Sequence, residues 1–237
     1  MSESWFYFQQ FKVNQSHCAM KISTDAVLLG ALATSDQPAN ILDVGTGTGV
    51  IALMLAQRFC NAKVHAVEID QEAAIQASEN FSGSKFFKRI SISNMRFQDF
   101  EPNHQFDLIA SNPPYFPNHL KSQDAKRNRA LHTDELSFSD LAEKVSALLS
   151  PSGHFWLILP PRQMVQFNVE ALKCGLYPIS NYSLQDKPGS RLLRNICAFS
   201  KVPKECTFAE IYVKNEDGTP HLTYSRLVSG FLLAFKD

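Results

Sequence analysis

The segment Ser111-Asn112-Pro113-Pro114-Tyr115 combines an amide, two prolines and an aromatic ring where the chain must leave a sheet. It follows the apolar run 107–110, which is typical of a buried strand, and two prolines cannot continue that strand. Ligands of open α/β sheets bind at the carboxyl ends of strands. We therefore predict that Asn112, Pro113, Pro114 and Tyr115 form a catalytic segment that holds a planar substrate through its NH2 group. The alternative is an ordinary Asn-Pro turn.

A glycine-rich turn upstream favours a cofactor that carries positive charge. The apolar run 40–44 contains Asp43 and leads into Gly45, Gly47 and Gly49, after which apolar residues recur at helical spacing. The spacing G-x-G-x-G differs from the G-x-G-x-x-G of dinucleotide-binding proteins. An acid at the start of the loop would repel a pyrophosphate and could bind an ammonium group. This combination favours S-adenosylmethionine, which carries an ammonium and a sulfonium but no phosphate, over NAD.

Further acids follow the next predicted strands. Glu68 lies in the run 63–70, about 20 residues beyond the glycine loop, where Rossmann-like units place an acid that binds ribose hydroxyls. Asp70 competes for that role, but it precedes a helical pattern and is a good helix N-cap. Asp99 is predicted to bind an adenine amino group, with Phe100 packing on the ring. The alternative is a solvated turn acid with Phe100 in the core.

The order of glycine loop, ribose acid, Gln-Asp-Phe and Asn-Pro-Pro-Tyr resembles that of class I S-adenosylmethionine-dependent methyltransferases that modify exocyclic amino or amide nitrogens. The stretches 8–13, FQQFKV, and 18–31, CAMKISTDAVLLGA, look like the opening of the bacterial tRNA(Val) adenine-N6 methyltransferases. Those enzymes act on the adenine just 3′ of the anticodon. The resemblance covers most of the chain, and the segment 20–25 is what points to this family.

The resemblance implies an α/β fold with a Rossmann-like, doubly wound and mostly parallel seven-stranded sheet whose last strand is antiparallel. The chain 1–237 is expected to form one methyltransferase domain, with an N-terminal extension and capping helix over 1–38 and the core over 39–237. The implied cofactor is S-adenosylmethionine, and the implied reaction is methylation of an adenine N6 in tRNA. Lys21 or Thr24 is expected to reach the methionine carboxylate. The candidate cofactor-binding residues are Lys21, Thr24, Asp43, Gly45, Gly47, Gly49, Glu68, Asp99, Phe100 and Asn112.

Composition constrains the partners and the compartment. Formal net charge is zero, so any RNA-binding surface must be a local patch. The five cysteines are scattered without a C-x-x-C pair, which indicates neither zinc nor a disulfide framework and is typical of a reducing compartment. The sequence has no signal-peptide pattern and no apolar run of membrane-spanning length. We therefore expect a cytoplasmic monomer without a metal or a membrane partner.

The interval between Tyr115 and Leu136 lacks apolar periodicity and is rich in cations. Long loops of this kind are usually functional or disordered, and cations beside a base pocket can guide phosphates. A solvated loop is the alternative. The predicted RNA contacts are Lys121, Lys126, Arg127 and Arg129. The weaker candidates, on a predicted hairpin that could simply face solvent, are Lys187, Arg191 and Arg194.

Apolar periodicity and boundary residues place the remaining elements. A helix is predicted over 24–32, capped by Thr24 or Asp25, and another begins near 134 and ends near 149. The later elements are a strand over 153–159, a helix over 164–173, strands over 177–184 and 191–200, and a short helix within 224–231.

Two other functions compete with methylation of tRNA. One is methylation of a glutamine side-chain amide in a protein, because the same four residues would grip that planar group. Such enzymes usually carry an additional N-terminal helical domain, and about forty residues ahead of the first strand are too few for one. The other is a non-catalytic S-adenosylmethionine-binding RNA module, and the intact Asn-Pro-Pro-Tyr counts against it.

Overall fold

A central β-sheet organises the fold. The computed structural model describes residues 5–16, 21–114 and 136–235. The strands of the central sheet are β3 (Asn40–Val44), β4 (Lys63–Glu68), β5 (Ile90–Asn94), β6 (Phe106–Ser111), β7 (Leu149–Leu159), β8 (Tyr177–Gln185), β9 (Leu192–Ser200) and β10 (Thr207–Tyr212). Within the described residues they form one eight-stranded sheet in the order β10-β8-β9-β7-β6-β3-β4-β5.

Strand β9 runs against all the others. It pairs antiparallel with β7 and with β8, whereas every other neighbouring pair of this sheet is parallel. The Rossmann-like, mostly parallel sheet predicted from the sequence is therefore confirmed. The predicted count of seven strands was wrong, because β10 adds an edge strand beyond β8; since β10 is parallel to β8, the antiparallel strand is β9 and not, as predicted, the last strand. Four of the six residues of β10 are exposed, so the strand lacks the apolar alternation that would have revealed it.

Helices cover both faces of the sheet. They are α1 (Thr24–Leu32), α2 (Val50–Arg58), α3 (Gln71–Ser82), α4 (Phe138–Leu148), α5 (Pro161–Lys173) and α6 (Leu222–Val228). Successive residues of a strand point to opposite faces, and β3 follows this rule: Ile41 joins the apolar cluster with α1 and α2, while Leu42 joins the cluster with α4 and α5. This doubly covered arrangement leaves the strand ends as the place for a ligand.

Several predicted boundaries needed correction: α4 begins at Phe138 rather than near 134, α5 at Pro161 rather than at 164, and α6 at Leu222 rather than at 224. Helix α1 has the predicted range, but its N-cap is Ser23, whose side chain accepts a hydrogen bond from Ala26 N–H; Thr24 and Asp25 already belong to the helix. Strand β7 begins at Leu149 rather than at 153. Leu149 pairs with Phe106 and His154 pairs with Leu108, so the register shifts between them and the irregular segment 150–153 hides the early start of the strand. A Cβ at Gly153 would lie 2.9 Å from the Leu149 side chain and from the Phe106 carbonyl.

A short N-terminal hairpin packs against the C-terminal part of the chain. Its strands are β1 (Trp5–Tyr7) and β2 (Lys12–Asn14). Gln9, between them, donates through its backbone N–H to the Phe231 carbonyl at 2.8 Å and through Nε2 to the Ser229 and Leu232 carbonyls. The hairpin is thereby fixed to the segment that follows α6.

Within residues 5–16, 21–114 and 136–235, no helix is both long and apolar enough to cross a membrane. In the same ranges, no group of three or more His, Cys, Asp or Glu side chains has the arrangement of a metal site.

Candidate active site

The carboxyl ends of three neighbouring strands bring the predicted site residues to one edge of the sheet. In register, Val44 of β3 lies opposite Val67 of β4 on one side and Ser111 of β6 on the other. Gly45 N–H donates to the Val67 carbonyl at 2.9 Å, and the buried Ser111 hydroxyl donates to the Val44 carbonyl at 3.0 Å. The glycine loop, Glu68 and Asn112 therefore leave the sheet side by side.

The three glycines of the loop have two different structural roles. All three have positive φ, at 70°, 53° and 83° for Gly45, Gly47 and Gly49. A Cβ at Gly45 or Gly47 would meet nothing within 4 Å, so the loop backbone is open to a ligand there. A Cβ at Gly49 would lie 2.4 Å from the Phe81 ring, so this glycine allows α2 to pack against α3.

Asp43 is a fully buried acid beneath this loop. Its Oδ2 accepts hydrogen bonds from the Thr46 hydroxyl at 2.5 Å and from Ala52 N–H at 3.2 Å. Its Oδ1 is buried without a hydrogen-bond partner among the described residues. Burial raises the pKa of the carboxyl from 3.8 to about 7; the hydrogen bonds from Thr46 and Ala52 act in the opposite direction, and the charge of Glu68 adds to the rise. A buried carboxylate oxygen with no donor favours a cationic ligand group.

Glu68 joins the end of β4 to the glycine loop. Its Oε2 accepts from Gly47 N–H at 2.8 Å, and its Oε1 accepts from Asp70 N–H at 3.0 Å, while only 8% of the residue is exposed. Asp70, the competing acid, is the N-cap of α3 and accepts from Ala73 N–H at 2.8 Å. The helix cap accounts for Asp70 and leaves Glu68 as the acid at the loop.

The third acid and its neighbouring aromatic ring have separate environments. Asp99 is exposed in a short 3-10 turn, Phe97–Asp99, and lies 3.8 Å from the Arg96 guanidinium. Phe100 is buried, and its ring stacks on His65 with centroids 4.9 Å apart. Of the two positions considered for Phe100, the structure shows the one in the core, where the ring packs against His65.

The start of α1 carries the two candidates for the methionine carboxylate. Lys21 and Thr24 are exposed. Neither side chain makes a hydrogen bond or an ion pair to the glycine loop in the part of the chain that the structure describes. Asp25, next to Thr24, accepts a hydrogen bond from Arg194 Nε at 2.7 Å. Arg194, one of the weaker candidates for RNA contact, is thus an ion-pair partner of α1, and the solvent-facing alternative does not hold for it.

Asn112 emerges from β6 directly after the anchored Ser111. Asn112 is half-buried, Pro113 is buried and Pro114 is exposed. The chain leaves the sheet at Asn112, at the same end of the strands as the glycine loop, because the two prolines cannot continue the strand. The remaining candidates, which lie outside the described residues, are Tyr115, Lys121, Lys126, Arg127 and Arg129.

One contributor to the site was missed from the sequence. The buried Asn80 of α3 donates through Nδ2 to the carbonyls of Thr48 and Asn14, both at 2.9 Å, and its Oδ1 accepts from Asn14 N–H at 2.8 Å. It therefore connects the glycine loop to the N-terminal hairpin. An amide among helical polar residues gives no signal of such a role in the sequence.

Comparison with known proteins places this geometry in a family. The family model of the methyltransferase small domain matches residues 16–171. A Pedobacter heparinus protein named tRNA1(Val) (adenine(37)-N6)-methyltransferase is 42% identical over 97% of this chain and 98% of its own length. A Bacteroides fragilis protein of the same name is 44% identical over 87% of this chain and 88% of its own. The chain belongs to the tRNA1(Val) adenine-N6 methyltransferase family.

Solved structures agree with this family at the level of the fold. A predicted O-methyltransferase of Agrobacterium tumefaciens has a TM-score of 0.70 at 21% identity, over 87% of this chain and 96% of its own. A methyltransferase of Pyrococcus furiosus has a TM-score of 0.56 at 20% identity, over 81% and 90%. The resemblance stated from the sequence motifs is confirmed, and the protein is a methyltransferase.

The residues at the sheet edge fit S-adenosylmethionine, the cofactor of this methyltransferase class. The donor-free oxygen of Asp43 suits the ammonium group, and the open backbone at Gly45 and Gly47 gives the ligand room. The carboxylate of Glu68, held at the end of β4, suits a pair of ribose hydroxyls. No phosphate-binding feature is needed for this ligand.

Proposed function

We propose that this methyltransferase transfers the methyl group of S-adenosylmethionine to N6 of an adenine in tRNA, the adenine just 3′ of the anticodon of tRNA(Val). The relatives named above support the substrate. The main structural support for this reaction is that the glycine loop (which follows Asp43), Glu68 and Asn112 lie at the neighbouring carboxyl ends of β3, β4 and β6. A cofactor site therefore lies beside Asn112, which can accept hydrogen bonds from the target amino group.

The cofactor is held by three acids in this proposal. Asp43 receives the ammonium, Glu68 the ribose hydroxyls and Asp99 the adenine amino group, with Lys21 or Thr24 at the carboxylate. The exposed turn of Asp99 is tied to the end of β4, because Met95 N–H donates to the Glu68 carbonyl at 3.0 Å. The cofactor supplies a methyl group bound to a sulfonium sulfur. On transfer of the methyl group this sulfur becomes a neutral thioether, which is an excellent leaving group.

The catalytic segment solves a problem of nucleophilicity. The amino nitrogen of adenine is a poor nucleophile because its lone pair is delocalised into the ring. We assign the Asn112 side-chain oxygen and the Pro113 carbonyl as acceptors of the two N–H hydrogens, which draws the nitrogen toward tetrahedral geometry. Tyr115 stacks on the base. Methyl transfer would leave a neutral thioether and a positively charged N6, which is then acidic and loses its extra proton to water, so no strong general base is required. Positioning then carries most of the rate enhancement.

An adenine of the anticodon loop can reach a site at the carboxyl ends of the strands. A base of the anticodon loop is largely unpaired, so splaying it out costs less than flipping it from a duplex. Lys121, Lys126, Arg127 and Arg129 are assigned to phosphate contacts next to the base. We also propose that the chain works as a single domain and a monomer in the cytoplasm; light scattering of the purified protein tests its mass in solution.

Methyl transfer to defined substrates tests the proposal. The protein is incubated with methyl-labelled S-adenosylmethionine and separate pools of unmodified tRNA, rRNA, DNA and protein, followed by nucleoside and amino-acid analysis. We expect label in N6-methyladenosine from tRNA(Val), and none from a transcript in which guanine replaces the target adenine. Label in protein glutamine would instead support the amide methyltransferase, and no transfer to any pool would contradict catalysis.

A further inference from the structure

The tip of the β8–β9 hairpin lies on the same side of the sheet as Asn112. Strand β8 is parallel to β6 and ends at this edge, and the antiparallel strand β9 begins there. Asn112 follows Ser111, which is level with Leu157 of β7, and Leu157 is level with Cys197 of β9. The tip residues 186–191 precede Leu192. From standard strand dimensions, the tip lies roughly 15 Å beyond Asn112 along the strand direction and roughly 10 Å away from it across the sheet.

The tip is a closed turn rather than a loose loop. Pro188 and Gly189 occupy its centre, and Gly189 has a φ of 75°, which glycine adopts without strain. Ser190 N–H donates to the Lys187 carbonyl at 3.0 Å, and the Ser190 hydroxyl donates to the same carbonyl at 2.7 Å. The hairpin stem is fixed to α1 by the ion pair of Arg194 with Asp25. The backbone that carries the cations of this turn is therefore fixed before any ligand binds.

Two cations flank this turn without an ion-pair partner among the described residues. Lys187 and Arg191 are exposed, and neither forms an ion pair with any described residue. The neighbouring acid, Asp186, lies 3.4 Å from the Lys214 ammonium, which offsets its charge. In a chain with zero net charge, two uncompensated cations on a rigid turn form a local positive patch.

We propose that Lys187 and Arg191 bind backbone phosphates of the RNA whose adenine is held at Asn112, an inference that rests on the proposed function. A base inserted at the sheet edge leaves its sugar–phosphate chain outside the sheet, and the hairpin tip projects into that region. Phosphate contacts orient a nucleic acid without reading its sequence. The tip therefore sets the angle at which the RNA enters, while Asn112 and its neighbours select the amino group.

The test compares two double variants of equal charge change. Lys187→Ala with Arg191→Ala removes the tip cations. Lys63→Ala with Lys204→Ala removes two exposed lysines at the opposite end of the strands from the hairpin tip, where β4 begins and β9 ends. Binding of an unmodified tRNA(Val) transcript is measured by filter binding over a range of salt, together with KM and kcat for methyl transfer and the affinity for S-adenosylmethionine.

The tip variant is expected to bind tRNA roughly tenfold more weakly at low salt, with a salt slope smaller by about 1.4 to 1.8, since two fewer counterion-releasing contacts form. Its KM for tRNA rises, whereas kcat and S-adenosylmethionine affinity stay at the wild-type values. The variant Lys187→Arg with Arg191→Lys restores binding. The control variant behaves like the wild type.

An unchanged affinity and salt slope in the tip variant, with an active wild type, would overturn the phosphate role and leave the proposed function standing. An equal loss in the control variant would also overturn it, because the effect would then be one of general charge. A wild type that methylates protein or DNA but neither binds nor methylates tRNA would refute both the proposed function and this inference.

Discussion

The Glu68 carboxylate accepts a hydrogen bond from the Gly47 N–H at 2.8 Å, so that the acid at the end of β4 and the glycine loop after β3 form one unit. The other oxygen of the same carboxylate accepts from Asp70 N–H, at the start of α3. An acid fixed in this way keeps its rotamer before the cofactor arrives. In its proposed role at the ribose hydroxyls, the carboxylate would therefore be positioned in advance, which reduces the entropy lost on binding.

Replacing Glu68 by Ala is expected to weaken binding of S-adenosylmethionine and of its demethylated product by at least about tenfold, because two hydroxyl contacts of a charged acceptor are lost. Isothermal titration calorimetry measures both affinities. Glu72→Ala, at an exposed position of α3, is the matched control and should bind normally. An unchanged affinity of the Glu68 variant would remove this acid from the site.

Replacing Asn112 by Ala is expected to lower kcat for methyl transfer by roughly 10²–10³-fold, the cost of losing one acceptor that acts mainly in the transition state. The affinity for S-adenosylmethionine should stay nearly the same, because Asn112 addresses the target amino group. Asn61→Ala, at an exposed position at the opposite edge of the sheet, serves as the control. Steady-state kinetics with saturating tRNA decide the matter, and a variant with wild-type turnover would contradict the assignment.

The affinity for S-adenosylmethionine is expected to rise as pH increases from 6 to 8. Burial raises the pKa of Asp43 to about 7 in the free protein. A bound ammonium group favours the ionised carboxylate, so binding near pH 7 releases a proton. Calorimetry at pH 7 in buffers with different ionisation enthalpies measures this release. Asp43→Asn should bind weakly at every pH and release no proton, and a pH-independent wild-type affinity would count against Asp43 as the ammonium partner.

The raised pKa of Asp43 also makes the stability of the cofactor-free protein depend on pH. The folded-state pKa of Asp43 lies above the unfolded value, so the folded protein binds the proton more tightly. Its contribution to the free energy of unfolding is therefore most favourable below about pH 4 and is lost as pH rises through 7, by roughly 4 kcal/mol. Between pH 5 and pH 8 about two of these pKa units are crossed, so urea unfolding at the two pH values should show a loss of roughly 2.5 kcal/mol in the wild type and a much smaller one in Asp43→Asn.

Replacing Asn80 by Ala is expected to lower the free energy of unfolding by about 2 kcal/mol, because it leaves the buried Thr48 carbonyl and the Asn14 backbone groups without their partner. The affinity for S-adenosylmethionine should fall as well, since the glycine loop loses its tie to α3. Ser78→Ala, on the exposed face of the same helix, should change neither quantity. Thermal unfolding and calorimetry on the two variants measure the difference, and a stable variant with weak binding would separate the two effects.

The predictable parts of this protein are those with a local physical signature. Strand β3, the glycine loop and β4 follow from apolar runs, positive-φ glycines and the spacing of Asp43 and Glu68. Asn80 could not be predicted, because its partners at Asn14 and Thr48 are distant in sequence and are ordinary backbone groups. Phe100 was ambiguous because an aromatic ring after an acid suits both a ligand and the core, and only its stacking on His65 distinguishes them.

The contact between Gln9 and the segment 229–232 bears on how the chain folds during synthesis. Its partners are more than two hundred residues apart in sequence, as in Gln9 Nε2 to the Ser229 carbonyl. A nascent chain folds from its N-terminus as it leaves the ribosome. The contacts of Gln9 therefore form only after the segment 229–232 has left the ribosome, whereas the bonds between Asn14 and Asn80 need no residue beyond α3. We expect the hairpin to be fixed at both places only as a late step of folding.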